Sequence, residues 1–179
     1  MNALVTLLDH EHADAVREVW WDLESQFGIT TRYVKPFVHF SYHVVADEYD
    51  LEHLGPTLEE VSDAYAGFTV STAKADVFLA GEPVVFVGVN RTPELDRLHK
   101  EIWARCTPGF GVGLPYYSPE VWVPHVTLAQ GPRAGENLPE IMKLLGDRKL
   151  NWELQVDNLA VIEDGGQERG LLHEVSLSD

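Results

Sequence analysis

The chain has 179 residues, 45% of them hydrophobic, enough for one self-folding domain or two small lobes that share a core. Its 13 basic and 29 acidic residues leave a formal charge of −16, which argues against the broad basic surface that long duplex nucleic acid requires but leaves room for a small or single-ended anionic ligand at a local basic cluster. Cys106 is the only cysteine, so neither an internal disulfide nor a cysteine-based zinc site can form; no apolar run approaches the roughly 20 residues of a membrane span, the first residues lack the basic leader of a signal peptide, and a cytoplasmic location is expected.

In chain order, the apolar run from Ala3 to Leu8 reads as a buried strand, and Asp9 or His10 caps a helix that continues to Phe27. Val16, Val19, Trp20, Leu23 and Phe27 recur at helical spacing on it, Trp20–Trp21 reads as one core and one surface residue, and Gly28 is a natural stop. A second strand is expected from Phe37 to Val45. A second helix is expected from Leu51 to Tyr65, with Gly55–Pro56 positioned to delay its start. Two strands follow, Phe68 to Leu79 and Val84 to Val89, around the turn Ala80-Gly81-Glu82-Pro83. Thr92 before Pro93 opens a third helix to about Cys106. A loop rich in glycine, proline and tyrosine, from Thr107 to Glu120, leads to a strand from Val121 to Ala129. A fourth helix from Leu138 to Gly146 and strands from Trp152 to Glu163 and from Leu171 to Leu177 complete the pattern.

Two tetrapeptides repeat one pattern of histidine, apolar, hydroxyl, apolar: His39-Phe40-Ser41-Tyr42 and His125-Val126-Thr127-Leu128. In a strand, residues i and i+2 share a face, so each tetrapeptide presents an imidazole beside a hydroxyl and turns its apolar pair to the core. Each lies in an expected strand followed by a helix and then a strand pair, an arrangement that suggests an internal duplication and a paired site.

These residues resemble the two-histidine (2H) phosphoesterase superfamily, which includes 2′,5′-RNA ligase-like proteins and cyclic nucleotide phosphodiesterases. Its hallmark is a pair of His-x-Thr/Ser-x motifs half a chain apart, and here they stand 125 − 39 = 86 residues apart. The second copy, with Pro124 before its histidine, is closer to the family form than the first. The resemblance implies an α+β fold of two pseudo-symmetric lobes, each an antiparallel sheet with helices packed outside, around a central cleft, within one domain of interleaved lobes spanning 1–179. It implies His39 and His125 as the acid and base, with Ser41 and Thr127 hydrogen-bonding the phosphoryl oxygens, and no metal or other cofactor. Two imidazoles near neutrality suit this chemistry because one can enter neutral and the other protonated.

The implied reaction is cleavage of a 2′,3′-cyclic phosphate or a 2′,5′-linked nucleotide or RNA end, with ligation as its reverse. Small nucleotides or RNA ends are the expected partners, with no membrane; the oligomeric state stays open. Further substrate contacts are expected from Tyr42, Tyr117 and Trp122, which surround the motifs and could stack on a base, from His43 if the first strand runs unbroken, and from Arg133. Many ligase-like relatives carry a basic residue just after the second motif, where Ala129-Gln130-Gly131 stands here; Arg133, Lys35, Arg32 or Arg91 would have to compensate. Two alternatives stay open: a nucleotide or RNA-end binding module that does not turn over, and a metal-dependent hydrolase built on His10, His12 and carboxylates. His53, His99 and His173 carry no partner signal.

Overall fold

A computed structural model describes residues 1–31, 37–109, 112–163 and 170–178. Two four-stranded antiparallel sheets form the frame, and helices pack on them. The first sheet has the order β2-β1-β7-β8, from β1 (Asn2–Leu7), β2 (His39–Val45), β7 (Asn158–Glu163) and β8 (Leu171–Ser176). The second has the order β5-β4-β3-β6, from β3 (Phe68–Phe78), β4 (Val84–Val89), β5 (His125–Gln130) and β6 (Glu153–Val156). Each histidine tetrapeptide thus opens an edge strand, and the two edges, β2 and β5, lie against each other.

The helices are α1 (His10–Phe27), α2 (Leu51–Ala64), α3 (Pro93–Gly109), α4 (Pro132–Glu136) and α5 (Leu138–Gly146). Asp9 caps α1 by accepting from the His12 amide at 3.0 Å, and Gly28 ends it at φ 64°, a conformation costly for any side chain. Ala13, Val16, Val19, Trp20 and Leu23 form its buried stripe, while Trp21 is 73% exposed, the core-and-surface split expected of that pair. Crossing between sheets, α1 packs on β5 and α3 packs on β2.

The strand pair after each motif joins the sheet of the other motif: β3 and β4 pair toward β5, and β7 and β8 toward β1 and β2. Three expectations need correction. The run from Trp152 to Glu163 is two strands in different sheets, parted at Asp157. The second motif strand starts at His125 rather than Val121, because Pro124 has no amide to give a ladder and the Val121 and Trp122 amides close a turn on the Ser118 carbonyl. Gly55–Pro56 does not delay α2: the Leu54 amide already bonds the Asp50 carbonyl at 2.9 Å, so Pro56 sits inside the helix.

Candidate active site

The two motif strands are built alike to the residue. Along β1–β2 the partners are Ala3 and Val44, Leu4 and His43, then Val5 and Ser41, which leaves Tyr42 as an extra residue. Along β4–β5 they are Val84 and Gln130, Val85 and Ala129, then Phe86 and Thr127, which leaves Leu128 as the extra one. Both are β-bulges at the last position of the tetrapeptide, and a bulge shifts the alternation beyond it by one residue. His39, Ser41 and Val44 therefore share the cleft face of one strand, and His125, Thr127 and Gln130 that of the other.

These six residues line one cavity of about 380 Å³. Both imidazoles are half-buried and held alike: His39 Nδ1 donates to the Phe37 carbonyl at 3.0 Å, and His125 Nδ1 to the Val123 carbonyl at 2.8 Å. A carbonyl can only accept, so the proton of each neutral ring sits on Nδ1 and Nε2 keeps the lone pair. Burial lowers His39 to about 4, against the stabilising Phe37 contact, and the neighbouring charge of His125 lowers it further. Burial also lowers His125, with the Val123 carbonyl opposing. The His125 ring meets Phe78 edge-on at 5.0 Å and Phe86 at a tilt at 5.1 Å, two rings themselves stacked at 4.2 Å.

The remaining cavity wall is unlike on its two sides. Ala3, Val44 and Ile162 make an apolar flank on the first sheet, whereas Gln130 and Glu82 make a polar one on the second. Tyr117 closes the cavity from the loop, its hydroxyl hydrogen-bonded to Ser41 and its ionisation pushed up by burial. Among the described residues no lysine or arginine lines this cavity.

Of the substrate contacts expected from sequence, Tyr117 lines the cavity and four others do not. Tyr42, the bulge residue, is fully buried with its hydroxyl on Thr6 Oγ1 at 2.7 Å. His43 is turned inward by the same bulge, which invalidates the unbroken-strand reading; its Nδ1 donates to the Tyr49 hydroxyl at 2.7 Å, and that hydroxyl donates to the His43 carbonyl at 3.1 Å. Trp122 is buried between Tyr42 and His99, with ring centroids 5.7 and 3.7 Å away, so it has no free face for a base. Arg133 lies on the surface with its guanidinium over Gly28, where a positive charge complements the C-terminal end of α1.

Arg91 is also committed elsewhere, donating to Asp96 at 2.6 Å and to the Trp122 carbonyl at 3.1 Å, while Arg32 and Lys35 lie outside the described residues. His10 pairs with Asp14 at 3.1 Å and His12 with Asp9 at 2.6 Å, in separate contacts on the first turns of α1; no group of three potential metal ligands occurs among the described residues. Sequence reasoning missed Glu82, Gln130 as a cavity residue, and the Phe78–Phe86 pair. Gln130 stood in view as a departure from the family pattern, but nothing in the sequence marks the bulge that turns it into the cleft.

Two edge strands, each bringing a histidine and a hydroxyl to one shared cavity, are the defining arrangement of the two-histidine phosphoesterases. A profile of the 2′-5′ RNA ligase superfamily matches residues 8–168, and the chain belongs to that superfamily. Its fold is shared along nearly its whole length with TT0787 of Thermus thermophilus, at a TM-score of 0.69 and 16% identity over 98% of this chain and 97% of that one. E. coli LigT in its apo form is also similar, with a TM-score of 0.64 and 14% identity over 99% of this chain and 97% of LigT. LigT complexed with 3′-AMP aligns at 0.58 and 15% identity, covering 99% and 98% of the two chains. No curated protein sequence matches the chain. Among the described residues, no helix is long and apolar enough to cross a membrane.

Proposed function

We propose that this chain is a metal-independent phosphoesterase that opens 2′,3′-cyclic phosphates or cleaves 2′,5′-linked nucleotides and RNA ends. The observation that carries the reading is the matched tethering of the two imidazoles: each Nδ1 is committed to a carbonyl, so each Nε2 is available to take or give a proton at one cavity. One ring enters neutral and takes the proton of the attacking oxygen. The other enters protonated and delivers its proton to the leaving oxygen. Burial and mutual repulsion resist charging both rings together, and a bound phosphate anion favours the singly protonated pair.

Ser41 and Thr127 donate to the phosphoryl oxygens as charge develops on them, and Tyr117 orients the Ser41 hydroxyl. The Glu82 side of the wall disfavours a multiply charged phosphate end and suits a diester, which carries a single negative charge. LigT structures complexed with 3′-AMP, ATP and NADP+ are consistent with a small nucleotide ligand for this fold.

The test is turnover of 2′,3′-cyclic nucleotides and 2′,5′-linked dinucleotides in excess EDTA. Activity is expected to persist with chelator and to fall about 10²–10⁴-fold in His39→Ala and in His125→Ala. Undiminished turnover in both variants would overturn the reading. Loss on chelation would favour the metal-dependent alternative, and binding without product the non-catalytic one.

A further inference from the structure

Trp20 and Trp122 take no part in the chemistry above, yet they occupy matching places around it. Trp122 Nε1 donates to the Ser41 carbonyl at 2.9 Å, and Trp20 Nε1 donates to the Thr127 carbonyl at 3.2 Å. Those are the carbonyls of the two motif hydroxyl residues, immediately before each bulge. The next carbonyl in each strand is also held by a side chain: His99 Nε2 lies 3.1 Å from the Tyr42 carbonyl, and Thr31 Oγ1 donates to the Leu128 carbonyl at 3.0 Å.

All four donor residues are at most 2% exposed. A bulge leaves its extra residue outside the ladder, so the backbone there needs partners from elsewhere. Two donors fixing two successive carbonyls at such a point set the orientation of the intervening peptide.

The donors also cross between the sheets. Trp20 is carried by α1, which connects β1 to β2 of the first sheet but packs on β5 of the second. Trp122 precedes β5 of the second sheet and reaches β2 of the first, where α3 brings His99.

We infer that Trp20 and Trp122 are positioning residues, each holding the motif strand of the opposite sheet at its bulge so that its histidine and hydroxyl face the cavity together. The inference rests on the reading of this cavity as the catalytic site. A small error in that placement costs turnover steeply, because proton transfer depends on near-contact geometry.

Trp20→Phe and Trp122→Phe remove the N–H donor and keep an aromatic ring. The first readout is the imidazole ¹H–¹³C resonances of His39 and His125, followed through a pH titration of the free protein. Trp122→Phe is expected to move the His39 signal and its titration midpoint while leaving His125 in place, and Trp20→Phe to do the reverse. The second readout is steady-state kinetics, where kcat is expected to fall about tenfold in each variant with KM changed less than twofold, equivalent to about 1.4 kcal/mol. Thr31→Val, nearly isosteric, is expected to reproduce the Trp20→Phe pattern on His125 should the tryptophan variants fail to fold.

Movement of the histidine on the donor's own sheet, of both histidines equally, or of neither would overturn the inference. The resonance readout needs no turnover, so an inactive wild-type protein would refute the proposed reaction while leaving the crossed bracing separately testable.

Discussion

A double-mutant cycle between Tyr42 and Thr6 tests whether the Tyr42 hydroxyl serves the core or a ligand. Thr6 Oγ1 donates to the Asn158 carbonyl at 2.9 Å, so at the 2.7 Å contact the Tyr42 hydroxyl is the donor and Thr6 the acceptor. Both residues are fully buried. Tyr42→Phe loses one accepted bond at a hydroxyl that keeps its own acceptor, which costs about 0.5–1.5 kcal/mol. Thr6→Val removes two bonds and strands the Tyr42 hydroxyl without an acceptor, so about 2–3 kcal/mol is expected. In the double variant the stranded hydroxyl is gone, and the two losses fall short of additivity by about 1 kcal/mol. Urea denaturation of the four proteins measures the cycle, with turnover assayed alongside. Tyr42→Phe is expected to keep its kcat and KM within twofold. A coupling below about 0.3 kcal/mol would refute the packing argument, and a large rise in KM with stability unchanged would return Tyr42 to the ligand.

His43 and His99 are fully buried and lowered by burial from 6.5 to about 4. Between those two values the unfolded chain binds protons that the folded chain refuses, so stability rises with pH across that window and is lost as pH falls toward 4. The slope is at most about 2.7 kcal/mol per pH unit for the pair, and His99→Gln is expected to remove about half of it in denaturation curves taken from pH 4 to 7. Protonating His99 is costly because its Nδ1 is buried without a partner. At Gly113 an added Cβ would stand 2.5 Å from His43 Nε2 and 2.8 Å from Trp103 Cζ3. Gly113→Ala is therefore expected to lose about 1–3 kcal/mol, read as a drop in Tm, and an unchanged Tm would show that these rings yield.

The motif strands were legible because their signal is chemical and repeated: His39 with Ser41, and His125 with Thr127, need only period-two alternation to share a face, and the structure puts all four on one cavity. The principal helices were legible from apolar spacing and caps such as Asp9 and Gly28. Beyond the fourth residue of each motif the alternation reading failed, because a bulge has no side-chain signature. It moved His43 into the core and brought Val44 and Gln130 to the cleft. Trp122 misled for a related reason: an aromatic beside a motif has the same sequence appearance whether it stacks on a ligand or braces a backbone. Asp157 was hidden in an alternating run, although it is where the chain leaves one sheet for the other.

The order in which the strands emerge from the ribosome has a bearing on when the site comes into being. The second sheet draws its strands from a continuous stretch, β3 through β6, whereas β1 must wait for β7, with Leu7 and Asn158 bonded across 151 residues. Until β7 arrives, β1 and β2 form a bare two-stranded ribbon, marginal alone and open along one side. A stalled nascent chain would therefore display the His39 ribbon unsealed beside a nearly finished His125 half, and would be prone to pair with other chains. β7 and β8 follow every strand of the second sheet in the chain and close the sheet that holds the first histidine, so the His39 side of the pocket is sealed only after the His125 side has been laid down.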